Sequence, residues 1–268
     1  MQAKIFNRFF FTFLIFFITH EVYAQQVYPF FPHEEMDFAA YYNLGPIWIY
    51  AGDAKLIADS TSLQNRKAVK LTAVAHSFKK WNFIFSLKDN YTAIADMNGF
   101  RPFFYEKKTM EGGYWIHNIY HFNWEKSRLN VFTESKRFPK KDTTYHLKHP
   151  LYDVLTATYY LRTLDISKIP IGDTIDIPII SDGVFDTYHI VYAGIGTMAY
   201  RKNKIPCHIY KAVITSSTFF SRTDPLSVFV TADSNHLPIY VEANIIVGSI
   251  KIYLMPYQDY KPKIHHSR

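Results

Sequence analysis

The hydrophobic period of this chain changes once. From residue 38 onward apolar side chains recur at every second position, except in residues 151–164, LYDVLTATYYLRTL. There Leu151, Val154, Leu155, Thr158, Tyr159 and Arg162 fall at the i, i+3, i+4, i+7 spacing of one helix face. Pro150 stands just before, where it suits a first helical position. A lone helix among strands has to be packed by them, so this stretch limits the chain to folds in which a sheet covers one helix.

The runs on either side read as strands. Before the helix they lie at residues 47–52, 68–76, 83–87, 91–95, 102–108, 114–124, 128–134 and 143–147. After it they lie at residues 174–180, 185–193, 205–216, 227–232, 238–247 and 249–255. Gly45-Pro46, Asn98-Gly99, Glu111-Gly112-Gly113 and Ser181-Asp182-Gly183 mark turns between them. Short strands in close succession predict a meander, barrel or sandwich rather than βαβ units. The expected fold is all-β: a large curved antiparallel sheet, an open barrel or half-barrel, with a single helix around residues 151–164 on its concave side. Without a linker-like stretch or internal repeat, residues 25–268 read as a single β-rich domain.

The N-terminus reads as an export signal. Lys4 and Arg8 precede an apolar run from Phe9 to Ile18, and Val22-Tyr23-Ala24 has the small-x-small form of a cleavage site. Residues 1–24 therefore read as a secretory signal peptide cut after Ala24, since a spanning helix needs about 20 apolar residues. No later stretch is long and apolar enough to span a bilayer, so the mature chain is expected in the periplasm or outside the cell, without a transmembrane segment. Cleavage removes Lys4 and Arg8 against Glu21, so the formal charge falls by one from +7, to +6. Small basic runs such as Lys136-Arg137 and Lys140-Lys141 sit beside turns and read as solvated loops, and no nucleic-acid partner is expected. Cys207 is the single cysteine, so no intrachain disulfide can form.

Motif chemistry is sparse. No G-x-S-x-G elbow, H-E-x-x-H pair or phosphate-cradling glycine loop occurs, and no cofactor, metal or catalytic residue is assigned. His117 and His121 have the i, i+4 spacing of a helical zinc pair, but four strand residues span about 13 Å, too far for one ion. Cys207 and His208 are adjacent in a strand and point to opposite faces. Asp89, Asp96, Asp153, Asp165 and Asp233 are the carboxylates available for acid and base work; Asp233 opens a turn that Asx hydrogen bonding explains.

Two helix charges stand out. Asp153 lies in the first turn and Arg162 in the last, where the macrodipole favours each. A cation on an otherwise apolar, aromatic helix must find a partner or reach solvent. Arg162 either fixes the helix to strand carbonyls or a carboxylate, or joins Tyr159 and Tyr160 in presenting a cation and phenols to an anionic head group. Asp153 and Trp48 complete the candidate ligand-binding set, and Trp81, Trp115 and Trp124 are further aromatics that would line a pocket.

The run DVLTATYYLRTLDISKIPIGD at residues 153–173 resembles the central signature of the exported bacterial family catalogued as domain of unknown function 3108. AGDAKLIA at 51–58, KDNYTAIADMNGFRPFFYEK at 88–107 and VTADSNHLPIYVEANIIVGSIKIYL at 230–254 extend the resemblance over nearly the whole mature chain. It implies an exported β-rich protein and carries no established reaction. The functional expectation is a non-enzymatic binder or carrier of a lipid-like or amphiphilic envelope molecule. The alternatives are an envelope scaffold for a protein or polysaccharide, and a hydrolase of unfamiliar type.

Overall fold

Side chains of one parity are buried along strand after strand, as a sheet with one covered face requires. In residues 87–96, for instance, Asp89, Ala93 and Ala95 are buried. The computed structural model describes residues 33–63, 65–81, 86–200, 203–212, 225–245 and 248–256. The stretch read as a leader, residues 1–24 with the expected cut at Ala24, lies outside them, as do most of the expected strand at 83–87 and the ends of those at 205–216 and 238–247. Strands β1 (His33–Leu44), β2 (Ile47–Leu63), β3 (Arg66–Ser77), β4 (Leu87–Asp96), β5 (Pro102–Glu111), β6 (Tyr114–Asn123), β7 (Arg128–Ser135) and β8 (Lys141–His146) precede helix α1 (Val154–Leu161). Strands β9 (Thr174–Ser181), β10 (Val184–Tyr200), β11 (Asn203–Ala212), β12 (Leu226–Thr231), β13 (Pro238–Asn244) and β14 (Ser249–Leu254) follow it.

All fourteen strands belong to one sheet in the order β8-β7-β6-β5-β4-β3-β2-β1-β14-β13-β12-β11-β10-β9. Every pairing is antiparallel, and every one joins sequence neighbours except the seam between β1 and β14, where Phe38 faces Leu254. The N- and C-terminal strands thus meet in the middle of the sheet, and β8 and β9 are its edges. At the β9–β10 turn Asp182 and Gly183 take φ of 50° and 75°, the paired positive values that a two-residue hairpin demands. Gly52 in β2 answers to a different constraint: a Cβ there would lie 2.1 Å from the His76 carbonyl oxygen, so β3 closes onto β2 only because residue 52 has no side chain.

The sheet is curled around α1. The helix touches β3 and β4 on one side and β9 on the other, strands far apart in the sheet order. The β9–β10 turn reaches across the opposite half: Asp182 accepts from Lys107 Nζ at 2.8 Å and Asn118 Nδ2 at 2.7 Å, and the Gly183 N–H donates to the Tyr120 hydroxyl at 2.9 Å. Side chains rather than a strand ladder bring the two halves together, so the barrel is open. Met36, Leu71, Tyr105, Tyr120, Leu129, Tyr159, Ile177 and Ile179 are fully buried between sheet and helix, each aliphatic among them worth about 1.5–3 kcal/mol of burial.

The helix is shorter than its sequence period. Leu151 and Tyr152 run along the outer edge of β9: the Tyr152 N–H donates to the Pro178 carbonyl at 3.0 Å, and the Ile180 N–H donates to that of Tyr152 at 2.9 Å. Pro150 therefore lies outside the helix, which starts at Val154 with Asp153 as its N-cap and ends with Arg162 as its C-cap. The apolar period ran on because these flanking residues face the same core. At the other end of the chain β1 begins at His33, earlier than the pattern from residue 38, and this extension brings Glu34 into the core.

Candidate functional site

Helix α1 has two faces of different kinds. Leu155, Thr156, Ala157 and Tyr159 are buried in the core. Val154, Thr158 and Leu161 instead face a cavity of about 230 Å³. Its far wall is one face of adjacent strands: Tyr188 and Ile190 of β10, Tyr210 and Ala212 of β11, Leu226, Val228 and Val230 of β12. The register explains the selection, since Ile190 faces Ala212 and Ala212 faces Leu226, while Tyr210 faces Val228. Alternate residues of three strands thus form one apolar surface.

Arg162 and His236 stand together in the lining of this cavity, which also includes Pro238. The guanidinium forms a bidentate pair with Glu34 of β1, Nη1 to Oε2 at 2.7 Å and Nη2 to Oε1 at 2.8 Å. Nη2 also donates to the Asn235 carbonyl at 3.1 Å. The two charged side chains are only 4% and 6% exposed, and the guanidinium carbon lies 5.2 Å from the Tyr159 ring centre. His236 Nδ1 lies 2.8 Å from the Arg162 carbonyl oxygen. A carbonyl only accepts, so Nδ1 carries the proton. The His236 ring meets His208 edge-on at 5.8 Å; burial, and then His236, hold the His208 pKa below the usual histidine value.

The other residues singled out from the sequence take separate places. Asp153 is fully buried and accepts from the Leu155 N–H at 2.9 Å, the Thr156 N–H at 3.0 Å and the Thr156 hydroxyl at 2.8 Å. Burial pushes its carboxyl up to about 6, against the pull of those hydrogen bonds. Tyr159 is buried and stacks near Phe100 at 6.3 Å, and Tyr160 stacks on Tyr152 at 4.9 Å. Trp48 is 50% exposed at the start of β2, with Lys251 5.0 Å over its ring. Arg162 alone of the five lines the cavity. Trp81 and Trp124 donate to the Tyr50 and Pro102 carbonyls, and none of the four tryptophans is part of the cavity wall.

The remaining polar candidates are engaged locally. His117 lies 2.9 Å from Glu106, and among the described residues no group of three or more His, Cys, Asp or Glu side chains could hold a metal ion. Burial pushes the Cys207 thiol up to about 11, and His208 turns to the Tyr192 hydroxyl at 2.9 Å. Asp96 pairs with Arg101, Asp165 caps a turn of 3₁₀ helix, and Asp233 accepts from the Thr231 hydroxyl and the Asn235 N–H. Asp89 accepts from the Tyr91 hydroxyl at 3.3 Å. It is buried on the face that carries Lys107 and Asn118; burial first, and the charge of Glu111 second, push its carboxyl up to about 7.

Glu34, Tyr188, Tyr210 and His236 are the site residues that motif reading did not find. That Arg162 must find a partner or reach solvent was visible in the sequence, but not that Glu34 is the partner. The alternation of Tyr188 with Ile190, and of Val228 with Val230, was visible too, but not that this parity faces the helix.

A search of curated proteins finds none that matches the chain. Among solved structures it is similar to a β-barrel-like protein of domain of unknown function DUF1849 from Brucella abortus, at 9% identity, with 84% of this chain and 95% of that one covered and a TM-score of 0.48. The model of the family described as "Protein of unknown function (DUF3108)" matches residues 37–255, and the chain belongs to that family.

Proposed function

We propose that the protein is an exported binder or carrier of an amphiphile, a molecule with a slim apolar chain that occupies the cavity beside α1. The apolar cavity between Thr158 and the β10–β12 wall carries this reading. Arg162 and His236 give it one polar end, next to which a head group sits. Because Glu34 neutralises Arg162, the pair offers hydrogen bonds rather than a free positive charge. Asp153, Tyr159 and Tyr160 act from behind, by fixing the helix that forms the near wall.

The scaffold alternative, in its strand-addition form, needs a free strand edge to recruit a partner. Here the outer edge of β9 is already bridged by Tyr152, and β8 is six residues long with both charged and polar side chains outward. An enzyme would need convergent polar groups, whereas Asp96, Asp165 and Asp233 each serve a nearby turn or pair.

Each methylene removed from water contributes about 0.8 kcal/mol, so affinity should rise about fourfold per carbon until the cavity is full. The test uses 11-(dansylamino)undecanoic acid as a fluorescent probe and a fatty-acid series as competitors. Thr158 is exposed and lines the cavity, so Thr158→Trp fills it without entering the core. The expected result is saturable binding that Thr158→Trp weakens tenfold or more while the melting temperature holds. Equal binding by both proteins, together with no amphiphile in native mass spectra of the exported protein, overturns the reading.

A further inference from the structure

In an antiparallel meander alternate connections lie at the same end of the sheet. The connections β1–β2, β3–β4, β5–β6 and β7–β8 share one end of the N-terminal half, and β2–β3, β4–β5 and β6–β7 share the other. The two ends differ in chemistry. The first set contains Lys79, Lys80, Lys136, Arg137 and Lys140 and no acidic residue. The second contains Arg101 and Lys126 against Glu125, with Arg101 paired to Asp96 at 3.0 Å and Glu125 to Arg66 at 2.7 Å.

Exposed apolar side chains follow the same division. Leu44, Ile47 and Trp48 flank the β1–β2 turn, and Phe138, 69% exposed, stands in the middle of the basic β7–β8 loop. Met110 is exposed beside the β5–β6 turn. No large apolar side chain is exposed in the described connections of the opposite end. These tips are held in place: Asn43 Nδ2 donates to the Gly45 and Ile47 carbonyls at 3.0 and 3.3 Å. In the β7–β8 loop the Ser135 N–H donates to the Phe138 carbonyl at 3.0 Å, and the Phe138 N–H donates to the Ser135 hydroxyl at 3.1 Å. Phe138 therefore points to solvent from an ordered turn, flanked by Arg137 and Lys140. The charges near it that oppose docking are Glu111, Glu134 and Asp142, the last 3.7 Å from Lys140.

We infer that this rim of the sheet docks on the surface of an anionic lipid bilayer. Lysine and arginine near such a surface contribute about 1 kcal/mol each, falling off within a Debye length. Tryptophan and phenylalanine add burial at the headgroup level, where an aromatic ring with a cation beside it is favoured. Basic residues alone would suit any polyanion, but exposed Trp48 and Phe138 among them suit a partner with an apolar layer beneath its charge. The rim is separate from the lining of the cavity, so the inference stands whether or not the cavity binds an amphiphile.

The experiment is vesicle co-sedimentation of protein expressed from the full chain with its leader. It uses phosphatidylglycerol/phosphatidylethanolamine vesicles beside pure phosphatidylcholine vesicles, at low salt and at about 0.5 M salt. Binding is expected on the anionic vesicles only, weaker in salt. Lys140→Glu with Lys141→Glu should lower it tenfold or more, and Phe138→Ser and Trp48→Ser should each lower it several-fold. Arg66→Ser at the opposite end should leave it within twofold. All these positions are exposed, and unchanged circular dichroism shows that the variants fold. Absent or lipid-independent binding, or an Arg66→Ser effect as large as that of the rim variants, overturns the inference. Binding that responds to charge reversal but not to Phe138→Ser or Trp48→Ser means a polyanion such as an acidic polysaccharide, and overturns it as well. The rim variants should bind the dansyl probe normally and Thr158→Trp should bind vesicles normally, so the two readings fail separately.

Discussion

Arg162 and Glu34 are 128 positions apart in sequence and meet as a buried bidentate pair. Removing one partner of such a pair leaves the other as an uncompensated buried charge, which costs about 3–5 kcal/mol, while replacing both by apolar groups of similar size is often close to neutral. Arg162→Met should therefore lower unfolding stability by about that amount, and Arg162→Met combined with Glu34→Met should recover most of it. Urea denaturation of the four proteins of this cycle checks the prediction; additive losses would mean that the pair does not act as a unit. Asp89 offers a pH test. Its folded pKa of about 7 lies above the ordinary carboxylate value of about 3.9. The native state then binds more protons than the unfolded chain between those values, so this residue's contribution to stability is lost as pH rises from about 4 to about 7. Asp89→Asn should match the parent near pH 4 and melt at a higher temperature above pH 7. Asp153 and His208 titrate in both proteins and cancel in the difference, so a difference that stays constant with pH would refute the assignment to Asp89.

Helix α1 depends on its cap. Asp153 satisfies two orphan N–H groups, and Thr156 completes a reciprocal capping box. Loss of such a cap costs about 0.5–2 kcal/mol, and the upper part of that range applies here because Asp153 and Thr156 are both buried. Asp153→Ala should lower stability by about 2 kcal/mol in urea titrations and Asp153→Asn, which keeps an acceptor, by clearly less; equal losses would show that the carboxylate acts through its charge instead. The helix was legible as a change of period at residues 151–164, and its true span, Val154–Leu161, was not. Leu151 and Tyr152 continue the apolar pattern because both are buried in the same core, Tyr152 through a bridge to β9, and an edge bridge leaves no mark on helical periodicity. Most strands were legible for the complementary reason: alternation and turn residues are local. Ser181-Asp182-Gly183 gave its turn correctly because positive φ at successive residues favours such side chains.

The open barrel joins two meanders along the β1–β14 seam, with the helix between them. Its cavity lies against the C-terminal half, and the aromatic and basic rim belongs to the N-terminal half. If an amphiphile occupies the cavity, the native state should be stabilised by mass action, so the melting temperature should climb with ligand concentration for the parent but not for Thr158→Trp. Local chemistry along the chain was enough for the strand-rich composition, the turns, the helix and the requirement that Arg162 find a partner or reach solvent. Those follow from periods of two and 3.6 residues and from the cost of burying a charge. Which partner it was, which strand faces became the cavity wall, and that Trp48 stands far from Arg162 depended on the pairing of β1 with β14 and on the curl that brings β9 to α1. These are non-local registers, fixed by how the whole sheet closes around its helix, and no window of sequence holds both sides of such a contact.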